Sequence, residues 1–324
     1  MEAVLAVKNL TIDFVTPRGN VHALRNVSLE VPRNQIVGIV GESGCGKSTL
    51  ILAALNLLAE NAVISGGEVT YDERNVLAMS GAELRDIRGR KITMVFQDPM
   101  TALNPVLSIG TQMTDVQYRE KGRRMVDKRA AAVEMLRRVG MADPGDQLDR
   151  FPHQFSGGMR QRIAIAMALI TNPDLLIADE PTTALDVTLE AQIIHLLRQL
   201  KAGFLQGSIL FVSHHLGLVA ELCDAVVVMY AGEVVEQGTV HDVFHRPAHP
   251  YTQLLLACDP ARILDSTRTL PTIRGGVPDL IRIPTGCVFA PRCPKAFDTC
   301  RQKAPDTETV VDGHTARCHL LAND

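Results

Sequence analysis

The residues whose types and spacing most clearly indicate a chemical function form one stretch, Gly41-Glu42-Ser43-Gly44-Cys45-Gly46-Lys47-Ser48-Thr49. It follows an apolar run, residues 36–40, that predicts a buried strand, and it precedes an apolar run, residues 50–55, that predicts a helix. Glycines in such a turn let successive backbone N–H groups point at phosphate oxygens, and the helix N-terminus adds its positive dipole end. We therefore predict a phosphate-binding loop in which Lys47 reaches the β- and γ-phosphates and Ser48 ligates Mg²⁺.

Polar side chains follow three other predicted strands at their carboxyl ends: Gln97, the pair Asp179 and Glu180, and His214. In open α/β sheets, ligands bind at these ends of the strands. Two adjacent carboxylates downstream of a phosphate loop suit Mg²⁺ chemistry, because one can bind Mg²⁺ or its water ligands while the other orients the attacking water. His214, which follows a strand of the same predicted sheet, is predicted to contact the γ-phosphate.

Three further sites carry weaker local signals. The stretch Ser156-Gly157-Gly158-Met159 lies at the start of a predicted helix and is predicted to form a second anion-binding site. The local sequence does not indicate which molecule would supply the phosphate. Asp186 begins a later helix as a cap or an early-turn acid. Phe14 ends a predicted strand, where its ring could stack on a nucleotide base or pack in the core.

The bulk properties restrict the class of protein. The chain has 324 residues, a formal net charge of −3 and 46% apolar residues, which fits a soluble globular protein. This net charge does not indicate the basic surface that nucleic-acid binding requires. Its first five residues lack a basic segment typical of a signal peptide, and no uncharged apolar run approaches the ~20 residues of a membrane helix. We expect a cytoplasmic protein that does not itself cross a membrane.

The predicted elements indicate an α/β fold with three parts. Residues 3–40 are rich in strand patterns, and a further short strand is predicted to start at the glycine pair 66–67. Residues of about 100–160 are predicted to form a small helical subdomain, in which apolar residues at helical spacing indicate an amphipathic helix over 126–140. From about residue 245 prolines become frequent and long apolar runs disappear. We therefore expect one core at 1–244, which contains the phosphate loop, and a separate C-terminal segment at 245–324.

Four of the seven cysteines, Cys287, Cys293, Cys300 and Cys318, crowd into the C-terminal segment. Disulfides are disfavoured by the expected reducing compartment. Four thiolates suit tetrahedral Zn²⁺, although the C-x₂₋₄-C pairs common in structural zinc sites do not occur here. Four thiolates also suit a 4Fe–4S cluster. On the residues alone, zinc, a cluster and unliganded packing all stay open.

Taken in order, these motifs resemble those of the ATP-binding subunits of ATP-binding cassette (ABC) importers. The resemblance is strongest to the ATPases of dipeptide and oligopeptide permeases, a group that also includes nickel importers. The matching motifs are Walker A at 41–49, the Q-loop at Gln97, the signature at 155–159, Walker B at 175–180, the D-loop Ala184-Leu185-Asp186 and the switch histidine His214. In the C-terminal segment, His249-Pro250-Tyr251-Thr252 and the four cysteines follow the family pattern.

The resemblance implies a P-loop (RecA-like) ABC nucleotide-binding domain with a β-rich N-terminal part, a helical subdomain and a small cysteine-rich C-terminal extension. The implied cofactors are ATP, Mg²⁺ and a 4Fe–4S cluster, with Zn²⁺ as the alternative. The signature has Phe155 where leucine is commonest and Met159 where glutamine is commonest, and His215 stands where an aspartate usually follows the switch histidine. We expect the signature to be functional nonetheless.

The implied mechanism is that two such domains face each other head to tail and sandwich two ATP molecules. Residues Ser156–Met159 of one chain would complete the site formed by the partner's Walker motifs. The roles implied within one chain are base stacking by Phe14, Mg²⁺ binding by Ser48, Gln97 and Asp179, polarisation of water by Glu180, and a γ-phosphate contact by His214. Closure of the pair would drive the membrane subunits between two states.

The implied partners are a sister ATPase in a heterodimer, two transmembrane permease subunits and an extracytoplasmic substrate-binding protein, with no nucleic acid. The chain would be a peripheral protein on the cytoplasmic face of the cell membrane. Two other functions compete: a soluble ABC ATPase acting on nucleic acid or ribosomes, and a cassette that binds ATP without hydrolysing it. The first usually carries two cassettes or a coiled coil, and the presence of Glu180 and His214 argues against the second. The cargo stays open.

Overall fold

The structure is a computed structural model that describes residues 2–98, 102–120, 122–183, 185–259 and 271–322. Its strands are β1 (Ala3–Thr16), β2 (Gly19–Pro32), β3 (Ile36–Val40), β4 (Ala62–Tyr71), β5 (Arg74–Asn75), β6 (Ile92–Val95), β7 (Leu175–Asp179), β8 (Ser208–Val212), β9 (Ala225–Tyr230), β10 (Glu233–Thr239), β11 (Glu308–Val311) and β12 (His314–Ala316). Its α-helices are α1 (Lys47–Ala54), α2 (Gly81–Ile87), α3 (Ile109–Asp115), α4 (Met125–Arg138), α5 (Pro144–Gln147), α6 (Gly157–Leu169), α7 (Val187–Gly203), α8 (Leu216–Leu222), α9 (Val240–His245), α10 (Pro250–Ala257) and α11 (Asp298–Gln302).

The described residues form two compact units. Unit 1 contains Met79–Val212 with the short segments Pro32–Asn34 and 2–4, and unit 2 contains Leu5–Val31, Gln35–Ala78 and the described residues from Ser213 onward. Among the residues described, no helix combines the length and the apolar character that crossing a bilayer requires.

Unit 1 contains a parallel sheet in the order β6-β7-β8. All of β8 and the first four residues of β7 are buried, which is the pattern of parallel strands covered on both faces. Because the strands run in the same direction, the residues that follow β6 and β7 emerge at one edge of the sheet. Those residues include Gln97 and Glu180.

The helices of unit 1 pack on this sheet and on each other: α6 contacts β6 and α4, and α4 contacts α3. Helix α6 lies against the sheet with a nearly continuous buried surface that includes Ile163, Ile165 and Leu169. Helices α3, α4 and α5 lie in the stretch predicted to be helical. Helix α4 agrees with the predicted periodicity, whereas α3 was not predicted, because its seven residues carry no clear apolar repeat.

Unit 2 contains two sheets. In the first, of order β2-β1-β4-β5, β1 and β4 are antiparallel with Leu5 opposite Tyr71. In the second, the order β11-β12-β10-β9-β3 combines a parallel pair, β3 with β9, and antiparallel pairs from β9 outward. Helix α8 packs on β3, and α9 packs on β9 and β10. Every residue of β3 is buried, so the segment that leads into the phosphate loop is firmly anchored.

Two features of unit 2 differ from the sequence predictions. Strand β4 begins at Ala62 and continues through Gly66 and Gly67, where a strand start was predicted. The register shifts at this point, Gly67 has φ +84°, and a Cβ there would lie 2.4 Å from the Asn9 carbonyl oxygen, so the glycine serves a bulge inside the strand. Secondly, the C-terminal segment adds β11 and β12 to the sheet at β10, which its proline-rich sequence did not indicate.

Candidate active site

The predicted phosphate loop of unit 2 connects β3 to α1. Gly44 and Gly46 have φ values of +79° and +106°, which only glycine adopts without strain. Gly46 is also the N-cap of α1, and a Cβ there would lie 2.8 Å from the Ala23 carbonyl oxygen. The loop therefore needs glycine at this position for two reasons, backbone conformation and the close approach of β2.

Lys47 is 6% exposed, and its ammonium lies within the curve of the loop. It donates hydrogen bonds to the carbonyl oxygens of Gly41, at 2.7 Å, and Glu42, at 3.2 Å. The ammonium is therefore held close to the loop backbone, and it is the charge that a phosphate bound there would meet first. Ser48, which was predicted to ligate Mg²⁺, lies exposed in the first turn of α1, and Thr49 follows it half-buried.

Cys45 lies inside the same loop, with its Sγ 3.8 Å from the Lys47 Nζ. Burial raises the pKa of the Cys45 thiol, and the charge of Lys47 opposes that shift only in part. Cys45 is thus a buried neutral thiol, and we assign it to packing of the loop rather than to nucleophilic chemistry.

Gln97 and Glu180, two of the predicted catalytic residues, meet at the edge of the unit 1 sheet. The Gln97 amide Nε2 lies 3.2 Å from the Glu180 Oε2, which also accepts a hydrogen bond of 2.9 Å from the Thr183 hydroxyl. Glu180 has φ +44°, in the left-handed region that costs a non-glycine residue energy, and its N–H donates to the Val212 carbonyl oxygen. Such a strained residue directly after Asp179, at the end of β7, is typical of a functional site.

The signature and D-loop residues of unit 1 lie at helix N-termini. Ser156 is the N-cap of α6, and its hydroxyl accepts a hydrogen bond from the Met159 N–H, with Gly157 exposed and Gly158 buried between them. Asp186 is the N-cap of α7, which confirms its predicted capping role, and its carboxylate accepts from the Leu189 N–H at 2.9 Å. Ala184 lies outside the described residues.

Phe14 and His214, both in unit 2, occupy different settings. Phe14 lies half-buried on β1, opposite Ala62 of β4. His214 is exposed, and its ring meets the His215 ring edge-on with centroids 4.3 Å apart. Their contacts with a base and a γ-phosphate stay predictions.

The four cysteines of the C-terminal segment converge on one small cavity of about 10 Å³ in unit 2. The side chains that line it include Cys287, Cys293, Cys300, Cys318, His249, Phe289 and His319. The N–H of Cys287 also donates to the Cys300 carbonyl oxygen at 2.8 Å. Four cysteines that are spread over residues 287–318 thus come together around one point.

The electrostatics of this cavity favour neutral groups. Burial raises the pKa of Cys287 to about 11, and burial also raises the pKa of Cys293 and Cys318. Burial and the charge of Arg317 lower the pKa of His249 to about 3, so its neutral Nδ1 can accept from the Tyr251 N–H and cap α10. Within the described residues, no group of three or more His, Cys, Asp or Glu side chains is placed to hold a metal ion, so the predicted cluster is not confirmed.

Three residues contact Glu180 or the loop 41–49, and the sequence alone assigned no role to them. Thr183 donates to Glu180, the Tyr251 hydroxyl accepts from the N–H of Glu42, and Arg292 binds the Glu42 carboxylate. The first could have been found from its position three residues after Glu180. The other two lie more than 200 residues from Glu42 in sequence, where spacing gives no signal.

Comparisons with known proteins agree with these motifs. Residues 24–183 match the ABC transporter family, and residues 235–300 match the C-terminal region of oligopeptide/dipeptide transporters. The dipeptide transport ATP-binding protein DppD of Bacillus subtilis (strain 168) is 46% identical over 99% of this chain and 95% of its own length. The oligopeptide transport ATP-binding protein OppD of Salmonella typhimurium is 44% identical over 97% of this chain and 93% of its own length.

Solved structures show the same likeness. The dimeric ATP-binding cassette MJ0796, in a post-hydrolysis state bound to ADP and Pi, has a TM-score of 0.64 and 29% identity over 73% of this chain and 98% of that chain. CbiO1 from Clostridium perfringens, part of the transporter complex cbiONQ, has a TM-score of 0.65 and 28% identity over 76% of this chain and 92% of that chain. This chain therefore belongs to the ABC transporter family, among the ATP-binding proteins of dipeptide and oligopeptide transport.

Proposed function

We propose that this chain hydrolyses ATP to power the import of dipeptides or oligopeptides through a membrane transporter. The observation that carries the proposal is the likeness to peptide-transport ATP-binding proteins over nearly the whole chain, including the C-terminal region that matches oligopeptide/dipeptide transporters. The loop that encloses Lys47 and the contact of Gln97 with Glu180 support ATP binding and hydrolysis.

The predicted site residues have proposed roles in ATP binding or hydrolysis. Lys47 binds the β- and γ-phosphates, and the curved backbone of the loop 41–49 supplies N–H donors. Glu180 polarises the attacking water, with its orientation set by Gln97 and Thr183. The remaining roles are base stacking by Phe14, Mg²⁺ binding by Ser48, Gln97 and Asp179, a γ-phosphate contact by His214, and contact of Ser156–Met159 with ATP of a partner ATPase. Mg²⁺, when bound, neutralises charge on the phosphates.

The proposed partners are a sister ATPase in a heterodimer, two transmembrane permease subunits and an extracytoplasmic substrate-binding protein. The chain would then be a peripheral protein on the cytoplasmic face of the membrane. The relatives' names as transport proteins support this assignment. We also propose that residues 245–324 form a C-terminal peptide-permease extension with a four-cysteine metal site; the family match over 235–300 supports the extension.

A second proposal concerns the cysteine cavity: Cys287, Cys293, Cys300 and Cys318 hold a 4Fe–4S cluster. The support is that the four thiols line one cavity and that four thiolates are the ligand set of such clusters. When bound, the cluster would act as a structural staple for a proline-rich segment with little apolar sequence. Because thiolates are the ligands, loading of the cluster would release the thiol protons.

Transport by the assembled complex tests the main proposal. The chain would be co-expressed with the permeases, the sister ATPase and the binding protein from neighbouring reading frames, and reconstituted in vesicles. We expect uptake of labelled di- or tripeptides that requires ATP and is lost with Glu180→Gln in this chain, whereas Glu60→Gln, at an exposed residue, leaves uptake unchanged. Purification with ribosomes, without permeases and without peptide uptake, would contradict the proposal.

A further inference from the structure

Arg292 of the C-terminal segment binds the phosphate loop directly. Its guanidinium donates from Nη1 and Nη2 to the two carboxylate oxygens of Glu42, at 2.6 and 3.0 Å. The Arg292 side chain is 5% exposed and that of Glu42 is 27% exposed, so the guanidinium end of this bidentate pair is shielded from water. Two parallel charge-assisted hydrogen bonds fix the orientation of a carboxylate far better than one.

The backbone of Glu42 is held as well. Its N–H donates to the Tyr251 hydroxyl at 3.1 Å, and its carbonyl oxygen accepts from the Lys47 ammonium at 3.2 Å. Glu42 is therefore fixed at its side chain and its N–H by the C-terminal segment, while its carbonyl contacts the lysine predicted to bind phosphate. One residue connects the segment to the phosphate-binding group.

Arg292 is itself immobilised. Its Nε donates to the Arg274 carbonyl oxygen at 3.1 Å, and its Nη1 donates to the Tyr230 hydroxyl at 3.2 Å. The Tyr230 ring packs against the rings of Tyr251 and Phe289, with centroids 4.7 and 5.1 Å away. The contact is thus rigid on the side of the C-terminal segment.

We propose that Arg292 is a positioning residue for ATP: it holds Glu42, and through Glu42 it holds the curvature of the phosphate loop that presents Lys47 to the phosphates. The inference rests on the proposed role of loop 41–49 in binding ATP. The inference extends that role, because ATP affinity would then depend on the C-terminal segment as well as on the loop.

Calorimetry with the full chain, Mg²⁺ and a non-hydrolysable ATP analogue tests the proposal. The variants are Arg292→Ala, Arg292→Lys, Glu42→Ala and the double variant Glu42→Ala/Arg292→Ala. Arg301→Ala is the matched control, since Arg301 lies in the same segment with a side chain that is 68% exposed. We expect Arg292→Ala to raise Kd about tenfold, the size expected for a lost charge-assisted hydrogen bond, and Arg292→Lys to retain part of the affinity.

Two readouts separate positioning from a general structural role. The double variant should bind no more weakly than the weaker single variant, because both changes remove the same contact. In the assembled transporter, Arg292→Ala should raise the KM for ATP about as much as Kd, while kcat changes less than about twofold. This pattern is expected when the ground state and the transition state lose the same binding energy. Additive losses, or a fall in kcat with KM unchanged, would overturn the proposal.

Lys47→Ala, measured beside these variants, tests the loop assignment by itself. Weaker binding with Lys47→Ala and unchanged binding with Arg292→Ala would overturn only the role of Arg292. Unchanged binding with Lys47→Ala would overturn the assignment of the loop and the inference with it. If thermal unfolding shows that Arg292→Ala is not folded, Glu42→Gln replaces it, and an unchanged Kd for that variant overturns the proposal.

Discussion

The side-chain amide of Gln97 and the carboxylate of Glu180 are joined by a hydrogen bond of 3.2 Å, although 83 positions separate them in the chain. The Thr183 hydroxyl donates to the same carboxylate oxygen. Both donors are neutral groups, and their hydrogen bonds hold the carboxylate in one orientation. This fixed orientation fits the general-base role that we propose for Glu180.

Glu180→Gln should preserve ATP binding and reduce hydrolysis by about 10²–10⁴-fold, because the amide cannot accept a proton from water. The measurement is ATP turnover by the assembled transporter together with ATP affinity from calorimetry. Glu60→Gln serves as the control, since Glu60 is exposed. Turnover like that of the parent protein would remove Glu180 from its proposed role.

Lys47→Ala should weaken ATP binding about 10- to 150-fold, the effect of losing a hydrogen bond to a charged group. Calorimetry with the full chain measures it. Lys8→Ala is the matched control, because Lys8 lies on β1 with a side chain that is 60% exposed. Equal affinities for the parent and the Lys47 variant would contradict the assignment of the loop.

Protein prepared without air should be brown, with broad absorption near about 400 nm from iron–thiolate charge transfer. Cys300→Ser should remove the colour and make the C-terminal segment more sensitive to proteolysis. Cys258→Ser is the control, because Cys258 does not line the cavity. Stoichiometric zinc without iron or sulfide would overturn the cluster and keep a four-cysteine site.

Glu236→Gln should lower the free energy of unfolding by about 2 kcal/mol, because an amide replaces a carboxylate in a dry site. The Glu236 side chain is 0% exposed and accepts hydrogen bonds from the N–H groups of Ala248 and His249, and its Oε1 lies 2.8 Å from the His314 Nε2. Denaturant unfolding measures the loss. Glu30→Gln, at an exposed position on β2, should change stability by less than about 0.5 kcal/mol, and an equal loss in both variants would contradict the expectation.

The parts of the fold that the sequence could predict are those with a local signal. The phosphate loop, the buried strand before it and the polar residues after β6 and β7 combine apolar runs with motif spacing. The glycine pair 66–67 predicts a strand start, whereas the structure has a bulge inside β4 there; the sequence does not separate the two because glycine marks turns and bulges alike. The Glu42–Arg292 pair could not be predicted at all, since no spacing rule links residues so far apart in the chain.

The 250 positions between Glu42 and Arg292 also set an order in time. A chain growing at ~5–20 residues per second completes its phosphate loop roughly 10–50 s before Arg292 is added. During that interval the loop lacks the partner that we propose for it, so a nascent or truncated chain should bind ATP less tightly than the finished one. Nucleotide affinity would then rise about tenfold late in synthesis, when Arg292 reaches Glu42 and the two side chains pair.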